Sequence, residues 1–491
     1  MKNLILFNIV FSITTFYGCG KGDVLKEVAN DALPSSEQSK EEPVYKKSLI
    51  KGHEQIVPLE YGEPITASSC TIEDAEGVNI TSPCSCNVSG ECTVGLTPTG
   101  DGSATYTFVV TDGAVESSRE TVRAKVNEIV PFISTWRVGD VAYGDGDLSV
   151  TLPLKYGFNY DFTVDWGDGN TAEVTSYNDP DIGHTYASDG DYTITITGLV
   201  EAWAFNDFGD ADKILTVAEL GTVGWKSLST AFFGCDNLTT ISGGDTSNVT
   251  DMSWMFATTK LATPITTNWD TSKVVRMNEM FFNSEKANPD TSKWDTSNVI
   301  DMSRMFSSSD LANPDTSRWN TSNVIDMSFM FHQAEVANPD VSDWDTSSVT
   351  DMSWMFYNAD AANPNTKTWN TSKVENMGYM FASTDIANPN TSDWDTSAVT
   401  DMSSMFSFSK IADPDMSGWN FIGVISLSNM FMGTAISTTN YDALLIQLDA
   451  TAGSNLTFHA GTSKYTKNSA ADTARSNLLS DSWAINDGGS I

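Results

Sequence analysis

One phrase, repeated without a slip, constrains this chain more than anything else in it. It reads WDTSNVIDMSRMF at 294, WNTSNVIDMSFMF at 319 and WDTSSVTDMSWMF at 344. Trp269, Trp294, Trp319, Trp344, Trp369, Trp394 and Trp419 stand 25 residues apart with no insertion, and Phe306, Phe331 and Phe356 keep the same step. A fixed period of about 20 to 50 residues marks units that cannot bury an apolar side alone and must stack. Equal path length per unit then puts equivalent residues roughly 4.8 Å apart, as in paired strands.

Within one copy Leu311, Pro314, Thr316, Trp319, Val324, Met327, Met330 and Phe331 recur as small or apolar positions and are read as inward. Turn chemistry punctuates each copy at Ala312-Asn313-Pro314-Asp315 and at the Asp-Thr-Ser after each Trp, because short polar side chains bond their own backbone and Pro fixes φ. The pattern predicts a short strand near Pro-Asp-Thr-Ser-x-Trp and a short helix or 3-10 turn over Met-Ser-x-Met-Phe. The Trp series is read as a buried stack, since Trp carries the largest apolar surface; the rival is an exposed rail for sugars or peptides. Asp251, Asp301, Asp326, Asp351 and Asp401, with Asp290, Asp315, Asp340 and Asp415, are read as turn caps rather than a calcium row, because Arg276, Asn365, Asn376 and Asn390 interrupt them. The residues just after Met-Phe vary freely (FNSE, HQAE, YNAD), as positions without a packing role do.

The phrase D-T-S-x-V-x-x-M-S-x-M-F, the stretch from Phe232 to Leu238 (FFGCDNL) and the closing Tyr465-Thr466 to Arg475 resemble the BspA-like leucine-rich-repeat surface proteins of bacteria over residues 131 to 491. That resemblance implies a leucine-rich-repeat-like solenoid, a cell-surface role, often adhesion, and no catalysis. Upstream, Trp166-Gly167-Asp168-Gly169 with His184-Thr185-Tyr186 and Tyr192 resembles the polycystic-kidney-disease-type β-sandwich.

The ends and the domain plan follow from composition. Residues 1–19 carry Lys2, an apolar run from Leu4 to Phe16, then Gly18-Cys19, too short to span a membrane and suited to a lipoprotein signal peptide with Cys19 as the lipidated residue. Residues 20–53 read as a polar, disordered tether. Residues 54–128 read as an immunoglobulin- or cadherin-like β-module, with a hairpin at Asp112-Gly113. Residues 129–199 read as the second sandwich, 200–244 as an N-terminal cap, 245–436 as the solenoid and 437–491 as a C-terminal cap. The caps are expected to hold a strand at Ile214 to Val217, a short helix at Leu228 to Phe233, helices over Tyr441 to Leu448 and Ala470 to Leu479, and a strand at Trp483 to Ile485. Cys70, Cys84, Cys86 and Cys92 cluster as two disulfides of open connectivity in an exported chain, with a zinc site as the rival; Cys235 is left as a buried free thiol.

Function is bounded as much by what is missing. The net charge of −37 would repel phosphate, which excludes nucleic acid. His53, His184, His332 and His459 are scattered, and no nucleophile-elbow, Walker or zinc-protease motif occurs, so the chain is expected not to be an enzyme. No cofactor is expected beyond calcium, for which Asp165, Asp168 and Asp189 are the candidate ligands. The expectation is a non-catalytic, lipid-anchored protein of a bacterial cell envelope, surface-exposed or in an outer membrane. Its repeat array would bind a protein or glycan on another cell or matrix; the alternative is an envelope component that binds its own wall or assembles with itself.

Overall fold

The computed structural model describes residues 47–50, 55–59, 69–87, 91–99, 102–112, 115–127 and 130–491. The proposed lipidation site Cys19 and most of the 20–53 tether lie outside them. The tether's last stretch, Lys47–Ile50, is a strand that pairs in parallel with Ala124 to Asn127.

The expected architecture, immunoglobulin-like sandwiches followed by a leucine-rich-repeat solenoid of strand plus helix, is corrected by the structure. The described residues are mostly strands in several sheets, one of them seven-stranded and mixed, and they hold two α-helices, α1 (Thr438–Thr451) and α2 (Ala470–Ser480), both beyond the repeats. The seven-stranded sheet runs in the order Thr171–Val174, Tyr160–Asp165, Gly190–Val200, Phe132–Val138, Ile214–Glu219, Thr240–Ile241, Thr263–Pro264. Strands expected in a separate sandwich therefore share a sheet with residues of the array. One buried core runs on from Phe132 and Trp136 through the repeats to Trp483. Before it, a four-stranded and a three-stranded sheet share a second core of Tyr106, Phe108, Val110, Val94 and Leu96. There the expected hairpin forms, with Asp112 opposite Val115.

The repeats hold no helix for a physical reason. In a helix each N–H bonds back within its own segment, but here alternate N–H groups leave the copy. Met252, Trp254, Phe256 and Thr258 donate to the carbonyls of Arg276, Asn278, Met280 and Phe282, one copy on, at 2.7–3.0 Å. Bridges of one residue each tie Asp251, Arg276, Asp301, Asp326, Asp351, Asn376 and Asp401 in parallel. The Leu228 to Phe233 helix also fails to form, since Leu228, Thr230 and Phe232 donate to Asp251, Ser253 and Met255.

Side chains repeat the pattern of the backbone. Thr271, Thr291 and Thr296 are buried and give their hydroxyls to the carbonyls of Asp295, Asp315 and Asn320 in the next copy. Asn288 accepts from the Asn313 N–H, Asn313 from Asn338 and Asn338 from Asn363, each at 3.0 Å. The inward set is Trp, Phe, Met, Val and Ala312; Leu311 is 52% exposed, because it sits one residue off the corner that Ala312 fills. At the far end Ser437 and Ser469 cap α1 and α2. Asp487 is gripped there by Nε and Nη2 of Arg475 and by the Tyr441 hydroxyl, with Arg475 lying over the Tyr465 ring. The Tyr465 to Arg475 phrase is thus a closing clasp.

Candidate functional site

Each copy carries two left-handed residues four apart, where alternate N–H groups turn toward the neighbour. The second is mostly small or polar: Thr258, Asn283, Ser308, Asn358 and Ser383. The first, between Ser, Asn or Gly and Met, is Trp254, Glu279, Arg304, Phe329, Trp354, Tyr379, Ser404 and Asn429, with φ of 54–59° throughout. A left-handed conformation costs an L-residue roughly 1–2 kcal/mol, and Gly or Asn takes it most readily. The chain instead puts bulky side chains there repeatedly, and such strain is retained where the side chain serves something other than the local fold.

Together these side chains form a half-buried ribbon on the array. Phe329 and Trp354 stack at 5.5 Å and 5°, and Trp354 and Tyr379 at 3.9 Å and 10°. Beside them, His332 stacks on Tyr357 at 5.2 Å. The two columns touch through Phe329–His332 at 5.4 Å and Trp354–Tyr357 at 4.8 Å. Among the described residues nothing hydrogen-bonds the Tyr357 or Tyr379 hydroxyls. Burial pushes the His332 imidazole below its usual range, with Arg304 adding to the effect, so it is neutral at pH 7, and Ser307 Oγ lies 3.2 Å from its Nδ1.

The ribbon is closed at one end by its own ion pair. Arg304 lies over the Phe329 ring at 4.6 Å and donates to Glu279 Oε1 at 3.1 Å. Glu279 is 6% exposed and its Oε2 has no partner, and burial raises its carboxyl above the ordinary range against the pull of Arg304. Rings that amphipathic and that rigid supply contact area at low entropic cost, and Trp, Tyr and Arg dominate the energetic centres of protein interfaces.

The structure places the other sequence-derived residues plainly. Trp269, Trp294, Trp319, Trp344, Trp369, Trp394 and Trp419 are each 1–3% exposed. From Trp294 on they stack at 6.0–6.4 Å. Phe306, Phe331 and Phe356 are fully buried in a parallel stack. Cys70 bonds Cys84 and Cys86 bonds Cys92, so these sulfurs are committed to disulfides, and Cys235 is a buried free thiol.

Asp165, Asp168 and Asp189 do not converge as a calcium site. Asp165 accepts from the Gly167 N–H at 2.9 Å, while Asp168 bonds Asn170 and His184. Sequence reasoning missed the carboxylates that do gather: Asp145, Asp147 and Asp210 surround Lys213 Nζ at 2.8, 2.5 and 2.7 Å. The cation of that cluster is the buried ammonium itself.

It also missed half of the ribbon. The residues after Met-Phe hold Phe282, His332 and Tyr357, but the column of Trp354 lies between two conserved-looking letters of the repeat phrase. Its signal was variation at a single position inside that phrase.

Residues 226–344 and 330–443 each match the model of a family described as Mycoplasma protein of unknown function, DUF285. The two matches overlap and cover the array and its entrance, less than half of the chain. No curated protein and no solved structure matches.

Proposed function

We propose that this chain is a non-catalytic binding protein of a bacterial cell envelope, anchored through Cys19, and that the ribbon around Trp354 is its contact surface. The observation that carries the reading is the run of bulky aromatics at left-handed positions, where Asn429 shows that the fold accepts an Asn. The two successive matches of the array to one family, two disulfides suited to an oxidising compartment and the acidic net charge support it. The partner is a protein or glycan presented on another cell or matrix. Binding spreads over several copies, so single changes on the ribbon weaken it by degrees.

The test is attachment of the purified mature chain to foreign cells and to its own envelope fraction, with Trp354→Asn and Tyr357→Ala as variants. Saturable binding to foreign cells, reduced by both variants, is the expected result. Binding only to its own envelope fraction supports the wall-binding alternative. Hydrolysis of a polysaccharide or peptide, stopped by one point change that leaves the melting temperature unaltered, overturns the non-catalytic reading.

A further inference from the structure

We infer that the corner of the array running from Asp310 to Ile411 is a docking edge for a cationic, amphipathic helix of a protein partner. It lies past the second left-handed residue of each copy and shares no side chain with the ribbon, so it stands or falls separately from that surface. Two columns meet on it, and the first is aliphatic. Leu311, Val336, Ala361, Ile386 and Ile411 hold one position in five successive copies, and the four larger ones are 43–54% exposed. Packing does not ask for them, since Lys286 takes the same position one copy earlier. An apolar row kept in water over that length marks a contact surface.

The second column is acidic. Glu285, Asp310, Glu335, Asp360 and Asp385 each stand one residue before the aliphatic position, in five successive copies and all of one sign. Where a cation enters this column it pairs with the carboxylate one copy back: Lys410 bonds Asp385 at 2.5 Å, and Lys260 bonds Asp236. Between those ends, among the described residues, no Lys or Arg pairs with Glu285, Asp310, Glu335 or Asp360. Like charges set side by side on paired backbones repel, and a row of cations from outside would relieve them.

The two columns together select the occupant. Copies advance by roughly 4.8 Å, and a helix lying along the array brings one face round about every 5.4 Å, so one helical turn meets one copy. Five copies span roughly 19 Å, or about 13 residues of helix. A helix with an apolar stripe beside a Lys or Arg stripe lays the first on Leu311 to Ile411 and the second on the carboxylates. A second copy of this chain would set carboxylates against carboxylates. An anionic lipid surface is repelled by the same column and by the net charge of −37.

Fluorescence anisotropy tests this with a labelled Leu/Lys peptide of about 14 residues, patterned as an amphipathic helix and titrated with the mature chain at physiological salt. A peptide of the same composition in scrambled order is the control. The ordered peptide should bind at least about tenfold more tightly and gain helical dichroism on binding. Val336→Ser with Ile386→Ser should remove that preference. Glu335→Gln with Asp360→Asn should weaken binding severalfold more than Asp343→Asn with Asp393→Asn, which neutralises two exposed carboxylates outside the column. The melting temperature should stay put in all three double variants. Equal binding of the two peptides, or an unchanged preference in Val336→Ser with Ile386→Ser, overturns the inference and leaves only attraction by an acidic chain. Self-association of the chain, or flotation with phosphatidylglycerol vesicles, that this same double variant abolishes overturns it in favour of a second copy or a membrane.

Discussion

Two tryptophans ten residues apart should answer truncation in opposite ways. Trp344 is 2% exposed, lies between Trp319 at 6.2 Å and Trp369 at 6.4 Å, and reaches the Thr316 carbonyl with its indole N–H at 3.4 Å. Trp344→Ala opens a cavity inside a continuous stack, and large-to-small changes of that kind cost about 3–5 kcal/mol. Trp354 is half-buried at φ 59°. Trp354→Asn loses at most about 2–3 kcal/mol of ring burial and regains about 1 kcal/mol, since Asn tolerates the left-handed backbone better. The net cost is about 1–2 kcal/mol. Denaturant midpoints of the two variants, read by far-ultraviolet dichroism on the mature chain, separate the two cases. The binding assay should rank them the other way, with Trp354→Asn the weaker binder. Equal loss of stability in both variants would mean that the ribbon is core, and the argument from backbone strain would fail.

Three further outcomes follow from particular contacts. The hydroxyl and N–H of the Ser two residues on hold the carboxyls of Asp290, Asp315, Asp340, Asp345 and Asp395 below the ordinary range, and Lys213 holds Asp147 down at about 2. Such stabilisation is complete above the unfolded value of about 3.9 and is lost as pH falls through the lower folded values. Thermal melts should therefore drop below about pH 4, opposed weakly by Asp326, whose carboxyl burial raises; a melting point flat to about pH 2 speaks against the Asp caps. Lys213→Met strands Asp210 without its cation and should cost about 2–4 kcal/mol, towards the low end because Asp145 and Asp147 face water; an unchanged midpoint would show the cluster to be solvated. Cys70→Ser opens a disulfide that closes a 14-residue separation and should weaken the amino-terminal sheets by about 3 kcal/mol, leaving the array's own transition in place; loss of both transitions together would show that the sheets and the array unfold as one.

The sequence by itself determined the period, and with it much of the interior. An indel-free 25-residue step forces equivalent residues into register, so the buried Trp and Phe columns, the Asp caps on Ser N–H groups and the closing helices α1 and α2 could be read from spacing, cap residues and apolar periodicity. The paired cysteines were legible for the same local reason, though not which sulfur meets which.

What only tertiary structure decided was where the backbone hydrogen bonds go. Met-Ser-x-Met-Phe is acceptable as a helical turn when alone, but once copies stack, the N–H groups of Met252, Trp254 and Phe256 find carbonyls in the next copy, and the helix is displaced. That choice turns two residues per copy left-handed, and the first of them lines up Phe329, Trp354 and Tyr379 along one edge. Folding likewise brings Asp145, Asp147 and Asp210 to Lys213. Contacts between copies depend on how the units stack, and a one-dimensional pattern shows that they must stack without showing which groups the stacking will satisfy.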